Sequence, residues 1–314
     1  MSMRWIAVSA AATCLLLNGM ATAQDAPKAP SKAPEVKTPE VKGDRHDEVL
    51  GRVLRVTKLN DCTVKNLKGE KIGEIEDLVI DRDEGVVAYG VLSFGGFLGI
   101  GEKLFAVPFN SLTRTKDEGV VVMDVTKEQL ERAPSFAKDS WPEFDRAYGT
   151  TLSEFYKTTP YWQVRADAAQ DPARLPKDAL DKDHLRAHGC CRATQAIGMK
   201  VEDTTGKNLG DVNDLVIDDA TGRVVYGVLS FGGFLGMGDK LFAIPWHALR
   251  QSAKADDKFV LDVPKDKLEA APGFDKKTWP NMADHRWGLD IHKYYGENPY
   301  WDAKGEHHGT PSGS

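Results

Sequence analysis

The chain has 314 residues, 41% of them hydrophobic and 28% charged, with a formal net charge of −6. That acidity excludes the basic footprint of a nucleic-acid binder. The length and apolar content suffice for real cores, so disulfides are not needed as the main staple.

Residues 1–23 have the form of a signal peptide. Arg4 precedes the apolar run IAVSAAATCLLL, too short to span a bilayer, and Ala21-Thr22-Ala23 offers a small-residue cleavage site. Export to the periplasm or beyond is therefore expected, with no transmembrane segment left after cleavage. Processing removes Arg4 and no acid, taking the net charge from −6 to about −7. Cys14 goes with the signal, and Cys62, Cys190 and Cys191 remain. An odd number leaves at least one thiol unpaired within a monomer. Residues 24–44 (QDAPKAPSKAPEVKTPEVK and the residues after it) form a Pro/Lys/Glu-rich spacer that cannot bury enough surface to fold.

A duplication organises the rest. GEKIGEIEDLVIDRDEGVVAYGVLSFGGFLGIGEKLFAVPF starts at Gly69, and GKNLGDVNDLVIDDATGRVVYGVLSFGGFLGMGDKLFAIPW starts at Gly206, an offset of 137 residues. The offset slips by one afterwards, aligning Trp141 with Trp279 and Tyr156 with Tyr294, and by one more at the closing PYW. The period is a whole domain, too long for a solenoid. It divides the chain into a first module over 45–165, a linker over 166–188, a second module over 189–302 and a flexible tail over 303–314.

Each copy is predicted to be mainly β. EIEDLVI and DVNDLVI alternate apolar residues before a turn, DRDEG or DDATG. VVAYGVLSF and VVYGVLSF supply the hairpin partner, and KLFAVPF and KLFAIPW a short strand edged by proline. VVVMDV and FVLDV add a further strand. Thr126 with Gln129 has capping-box form and marks a short helix, as does PKDKLEAA in copy two. Each copy closes in an aromatic region ending PYW. Short strands without a βαβ rhythm predict two small barrels in tandem with short helices.

These residues resemble the PRC-barrel family, the small β-barrel of the photosynthetic reaction-centre H subunit and of a ribosome-maturation factor. The matching frame is G-K-x-x-G, D-L-V-I-D, a turn glycine, V-V-Y-G-V-L-S, then G-G-F-L-G-x-G-(E/D)-K-L-F-A-(V/I)-P-(F/W). It covers about Thr57 to Val125 and Thr194 to Val263. Copy one departs where Asn60-Asp61-Cys62-Thr63 stands opposite Ile197-Gly198-Met199-Lys200. The resemblance implies docking and assembly, with no shared catalytic constellation.

Candidate chemistry is sparse. Asp81-Arg82-Asp83-Glu84-Gly85 opens like a calcium loop but lacks its later ligands, so a hairpin turn is expected. His184, His188, Cys190 and Cys191 form a soft-ligand cluster whose spacing suits zinc or copper. A vicinal disulfide, a bond from Cys62 to either neighbour, or incidental linker residues are the alternatives, and no metal or cofactor is expected. No catalytic residue can be nominated, so the chain is expected not to be an enzyme. The identical decamers GVLSFGGFLG, from Gly90 and from Gly227, hold the interface candidates Phe94, Phe97, Leu98, Phe231, Phe234 and Leu235. Their apolar tips would close a barrel end or meet a protein partner or a second copy. The reading is an exported binding or assembly protein, with a periplasmic metal or thiol-redox protein as the alternative. Complete strand sets in each copy predict two separable cores.

Overall fold

The computed structural model describes residues 53–94, 103–163, 189–231, 240–252, 255, 257–299 and 301. In the first copy the elements run β1 (Val53–Arg55), β2 (Thr63–Lys65), β3 (Lys71–Asp81), β4 (Val86–Phe94), β5 (Lys103–Pro108), β6 (Leu112–Arg114), β7 (Val120–Met123), α1 (Lys127–Glu131), β8 (Ser135–Ala137) and α2 (Arg146–Tyr156). In the second they run β9 (Cys190–Arg192), α3 (Ala193–Ala196), β10 (Lys200–Glu202), β11 (Asn208–Asp218), β12 (Val224–Phe231), β13 (Lys240–Pro245), β14 (Leu249–Gln251), β15 (Lys258–Leu261), α4 (Lys265–Glu269), β16 (Phe274–Asp275) and α5 (His285–Tyr295). The fold is mainly β, as the sequence patterns predict.

Each copy builds an eight-stranded sheet, and the two share one strand order: β6-β7-β2-β3-β4-β5-β8 in the first and β14-β15-β10-β11-β12-β13-β16 in the second. The local signals do what their chemistry requires. Asp81 Oδ1 accepts from the amides of Asp83 and Glu84, and Asp218 Oδ1 from those of Ala220 and Thr221. Gly85 and Gly222 then take φ of 62° and 67°. Both acidic segments are thus hairpin turns of the kind Asp and Gly favour. Thr126 and Gln129 form the reciprocal capping box of α1. The departure at Asn60–Thr63 leaves β2 intact, because Asp61 takes φ of 65° where Gly198 takes 96°. Aspartate tolerates that left-handed conformation better than most residues.

The eighth strand of each sheet comes from the other copy. β1 pairs antiparallel with β11, Arg55 opposite Val216, and β9 pairs with β3, Arg192 opposite Val79. The hairpin turns also meet. The Val87 amide donates to the Gly222 carbonyl and the Val224 amide to the Gly85 carbonyl, both at 2.8 Å. Across this joint each turn glycine lies under an aromatic ring of the other copy: a Cβ at Gly85 would meet Trp246 at 2.7 Å, and one at Gly222 would meet Phe109 at 2.8 Å.

The interior follows the exchange. One continuous hydrophobic cluster includes Ile75, Leu78 and Phe105 of the first copy with Leu215, Leu229 and Phe242 of the second. A smaller cluster, around Val79, Tyr89, Val91 and Leu152, lies under α2. Both barrels fall within one compact unit. The structure therefore differs from the expectation of two separable cores. Strand composition shows that a copy has enough strands, but not which sheet each one joins.

This architecture makes a prediction. A fragment of residues 45–165 keeps Arg55, Val56 and Thr57 but loses β9, exposing the edge of β3 that β9 covers. Two fragments should exchange β1 strands and sediment as a dimer. A folded fragment that remains monomeric at high concentration would refute the exchange as the basis of stability.

Candidate functional site at the exchanged strands

The most elaborate polar arrangement lies where each borrowed strand docks. Asp77 is fully buried. Its Oδ2 accepts from Arg192 Nε at 2.8 Å and Thr194 Oγ1 at 2.5 Å. Its Oδ1 accepts from the amides of Thr194 and Leu78 at 3.2 and 2.8 Å. Asp214, equally buried, repeats this with Arg55 Nε at 2.8 Å, Thr57 Oγ1 at 2.6 Å, and the Thr57 and Leu215 amides at 3.2 and 2.9 Å. A break in register precedes each carboxylate, between Ile75 and Asp77 and between Val212 and Asp214. Such bulges re-aim side chains.

The arginines are held on their other side by aromatic rings. Arg192 Cζ lies 4.0 Å from the Trp141 ring centre, and Arg55 Cζ lies 3.8 Å from that of Trp279. A planar guanidinium can bond a carboxylate and stack on indole together, which an ammonium does less well. Four donors satisfy each carboxylate, as a buried charge requires. This chemistry is structural: it holds a borrowed strand against the edge of β3 and of β11.

Sequence reading missed the arginines and threonines. The available signal was the triplet Arg55-Val56-Thr57 recurring as Arg192-Ala193-Thr194 at the same 137-residue offset as Asp77 and Asp214. The helices also correct one alignment. Their matched N-caps, Asp145 and Asp284, and buried glycines, Gly149 and Gly288, pair Tyr156 with Tyr295, not with Tyr294. Both of those tyrosine hydroxyls are buried without a hydrogen-bond partner.

The soft-ligand cluster is not assembled. His184 and His188 lie outside the described residues. Cys190 and Cys191 belong to β9, and neighbouring strand residues point to opposite faces. Cys190 packs against the cluster under α2, while Cys191 belongs to the continuous core. Neither pairs with the other or with Cys62, and all three thiols are free. Neither disulfide alternative is formed, and β-pairing turns the adjacent thiols of Cys190 and Cys191 apart. Burial, then the nearby Asp81 carboxylate, pushes the Cys190 thiol up to about 12. Burial pushes Cys191 up to about 11. Thiols so far from the thiolate state are poor nucleophiles and poor metal ligands. Among the described residues no group of three His, Cys, Asp or Glu side chains is placed to hold a metal.

Of the interface candidates, Phe94 and Phe231 end β4 and β12, half-buried and edge-on to Phe105 and Phe242 at 6.3 and 5.9 Å. Phe97, Leu98, Phe234 and Leu235 lie outside the described residues.

A cleft of about 160 Å³ opens where the second copy's turn approaches the first barrel. Its walls come from Val86–Tyr89, from Pro108, Phe109, Asn110 and Leu112, and from Ser153, Thr159 and Tyr161. The turn residues 219–221 close it. Tyr161 donates to Asp81 Oδ2 at 2.7 Å. Burial and the Asp81 charge hold its phenol well above the usual range, so it stays a donor.

Comparison with known families settles what the two sheets are. The model of the PRC-barrel domain matches residues 51–130 and 192–268, together half of the chain. The chain belongs to the PRC-barrel family. No curated protein matches it. The two PRC matches begin at the crossing strands, so each family unit includes the arginine and threonine that serve the other. Among the described residues no helix is long and apolar enough to cross a membrane.

Two predictions arise from this geometry. Arg192→Ala leaves a fully buried carboxylate short of its cation and should destabilise the PRC pair by about 3 kcal/mol. Asp77→Asn leaves an arginine that is 33% exposed and still stacked on Trp141, so its effect should be smaller, about 1–2 kcal/mol. Urea unfolding of both variants checks the order, and the reverse order would contradict the clamp.

The second concerns His292, buried between Tyr226 and Trp301 with Nδ1 2.8 Å from the Gly288 carbonyl. Burial lowers its proton affinity. The unfolded chain, with a histidine near pH 6.5, then binds the proton more readily than the folded one. Stability is therefore full above about pH 6.5 and declines as pH falls through and below it, by at most about 1.4 kcal/mol per pH unit. Glu297, whose carboxyl burial pushes up, acts in the opposite sense and is retained in His292→Gln. Unfolding at pH 7.5 and 5.5 should show a smaller acid loss in His292→Gln than in the parent. Equal losses would rule out His292 as the source.

Proposed function

We propose that this chain is an exported, non-catalytic assembly protein, in which two strand-exchanged PRC barrels act as one platform for a protein partner or a second copy. The observation that carries this reading is the placement of the identical decamers. Each leaves the end of the same strand, at Phe94 opposite Lys103 and at Phe231 opposite Lys240. Residues 95–102 and 232–239 connect β4 to β5 and β12 to β13. A segment repeated unchanged at the same place in both barrels suits a partner that is met twice, where linkage raises avidity without new contacts. The buried polar groups support a non-catalytic role. Asp77 and Asp214 are committed to the strand clamps, and Cys190 and Cys191 are held as neutral thiols.

Export rests on the leader, with its apolar run and small-residue cleavage site at Ala21-Thr22-Ala23. Fractionation with mass measurement tests it, with a product beginning at Gln24 in the envelope fraction as the expected result.

The assembly role is tested by Phe97→Ser combined with Phe234→Ser. The double variant should keep its melting temperature within a few degrees while capture of the partner from envelope extract, or self-association, falls at least tenfold. Undiminished association with a large fall in stability would assign both segments to the fold alone.

A further inference from the structure

The two barrels hold each other through contacts that make no use of the chain running between them. Only residues 56–62 separate β1 from β2, and only residues 193–199 separate β9 from β10, so each crossing strand travels with its own barrel. The exchange therefore needs the barrels side by side. It does not need them in one chain.

The contacts of the exchange join residues before 164 to residues after 188. Arg192 and Thr194 reach Asp77, and Arg55 and Thr57 reach Asp214. The Val87 and Val224 amides reach the Gly222 and Gly85 carbonyls, and Arg82 Nη1 reaches Gln251 Oε1 at 2.8 Å. All of these form equally well when the first barrel belongs to one chain and the second barrel to another.

The connection is far longer than its task. Tyr161 Oη lies 3.7 Å from Cys190 Sγ, so the segments it joins come close together. Residues 164–188 lie between them in the sequence. A stretch of that length reaches roughly 80 Å when extended. It closes the pair within one chain and leaves ample reach for pairing between two.

The balance between the two arrangements depends on the tether. Their interfaces are the same, so interface strength cancels. What favours the single chain is the effective concentration set by the connection, on the order of 1 mM for a flexible tether. A dimer once formed is slow to revert. Parting the barrels strands two buried carboxylates and opens the shared core, and that barrier sets a lifetime apart from the equilibrium.

We infer that a second copy of this chain is a partner at the exchanged strands. The first barrel of one chain gives β1 to the second barrel of the other and receives its β9, and the remaining two barrels do the same. The result is a closed two-fold dimer in which identical elements are swapped. It rests on the crossing strands and not on the decamers, so it stands or falls separately from the partner-binding role of those segments.

The test uses the full mature chain with a site-specific protease sequence placed within residues 166–188, refolded from denaturant at about 500 µM and at about 5 µM. Size-exclusion chromatography with light scattering should show at least tenfold more dimer at the higher concentration, persisting for hours after dilution. Cutting the connection should then halve the mass of the dimer without unfolding it. Native mass spectrometry should find one N-terminal and one C-terminal fragment in each unit. The Phe97→Ser, Phe234→Ser double variant should form the same dimer. Should the first protease site impair folding, a second position within 166–188 serves the same purpose. No dimer at either concentration, dissociation within minutes of dilution, a dimer that keeps its mass after cutting, units of two like fragments, or loss of the dimer in the double variant would each overturn the inference.

Discussion

The molecule depends on two buried carboxylates. Asp77 and Asp214 have no exposed surface, and each is satisfied only because the other copy delivers an arginine and a threonine. Without the borrowed strand, a charge would be stranded between the sheet and its core, a far larger penalty than a lost surface ion pair. The continuous interior follows from this, since a strand cannot cross without carrying its apolar side chains with it. Leu54 and Cys191 occupy equivalent places on β1 and β9, and both pack against the shared core.

Much of this was legible in the residues and some was not. The strand set, the Asp-Gly turns and the capping box at Thr126 follow from local chemistry, and they formed where the patterns placed them. The family frame was legible twice over, because glycine, aspartate and proline recur in a fixed order. The exchange was not, since period and propensity describe a strand and are silent about the sheet it joins. Arg55 and Arg192 lie just outside the stretch from Thr57 and from Thr194 that the sequence motifs mark, although the family match takes them in. The cysteines misled for a related reason: adjacency in sequence suggested a bond or a shared ion, and β-pairing sends neighbours to opposite faces.

Duplication within one chain has a consequence that a symmetric pair of separate chains would not allow. In a two-fold dimer any substitution appears at both positions, so a cavity opened in one barrel opens in the other. Fusion removes that constraint. Phe109 and Trp246 perform the same task, covering a glycine of the opposite turn, yet they differ in bulk, and a cleft lies beside Phe109. Ser153 and His292 differ likewise on α2 and α5. The first copy keeps the tyrosine-rich cluster under α2 separate from the main core, whereas the second merges the equivalent residues into it.

The clamps alone do not determine which copy each strand serves. Arg55-Val56-Thr57 and Arg192-Ala193-Thr194 are chemically close, and the sites at Asp77 and Asp214 offer nearly the same acceptors at nearly the same distances. A second interaction has to break the tie. The joint between the hairpin turns has that character, since it exists only when the copies lie side by side. Its paired backbone bonds at Gly85 and Gly222 tie the turns directly, and each glycine leaves room for the ring above it. A side chain at either position would meet Trp246 or Phe109 within 3 Å, in a backbone conformation that already favours glycine. The carboxylates make the exchanged strands necessary, and the glycine joint makes the exchange the arrangement within reach. Together they turn two family units into one platform whose halves are free to diverge.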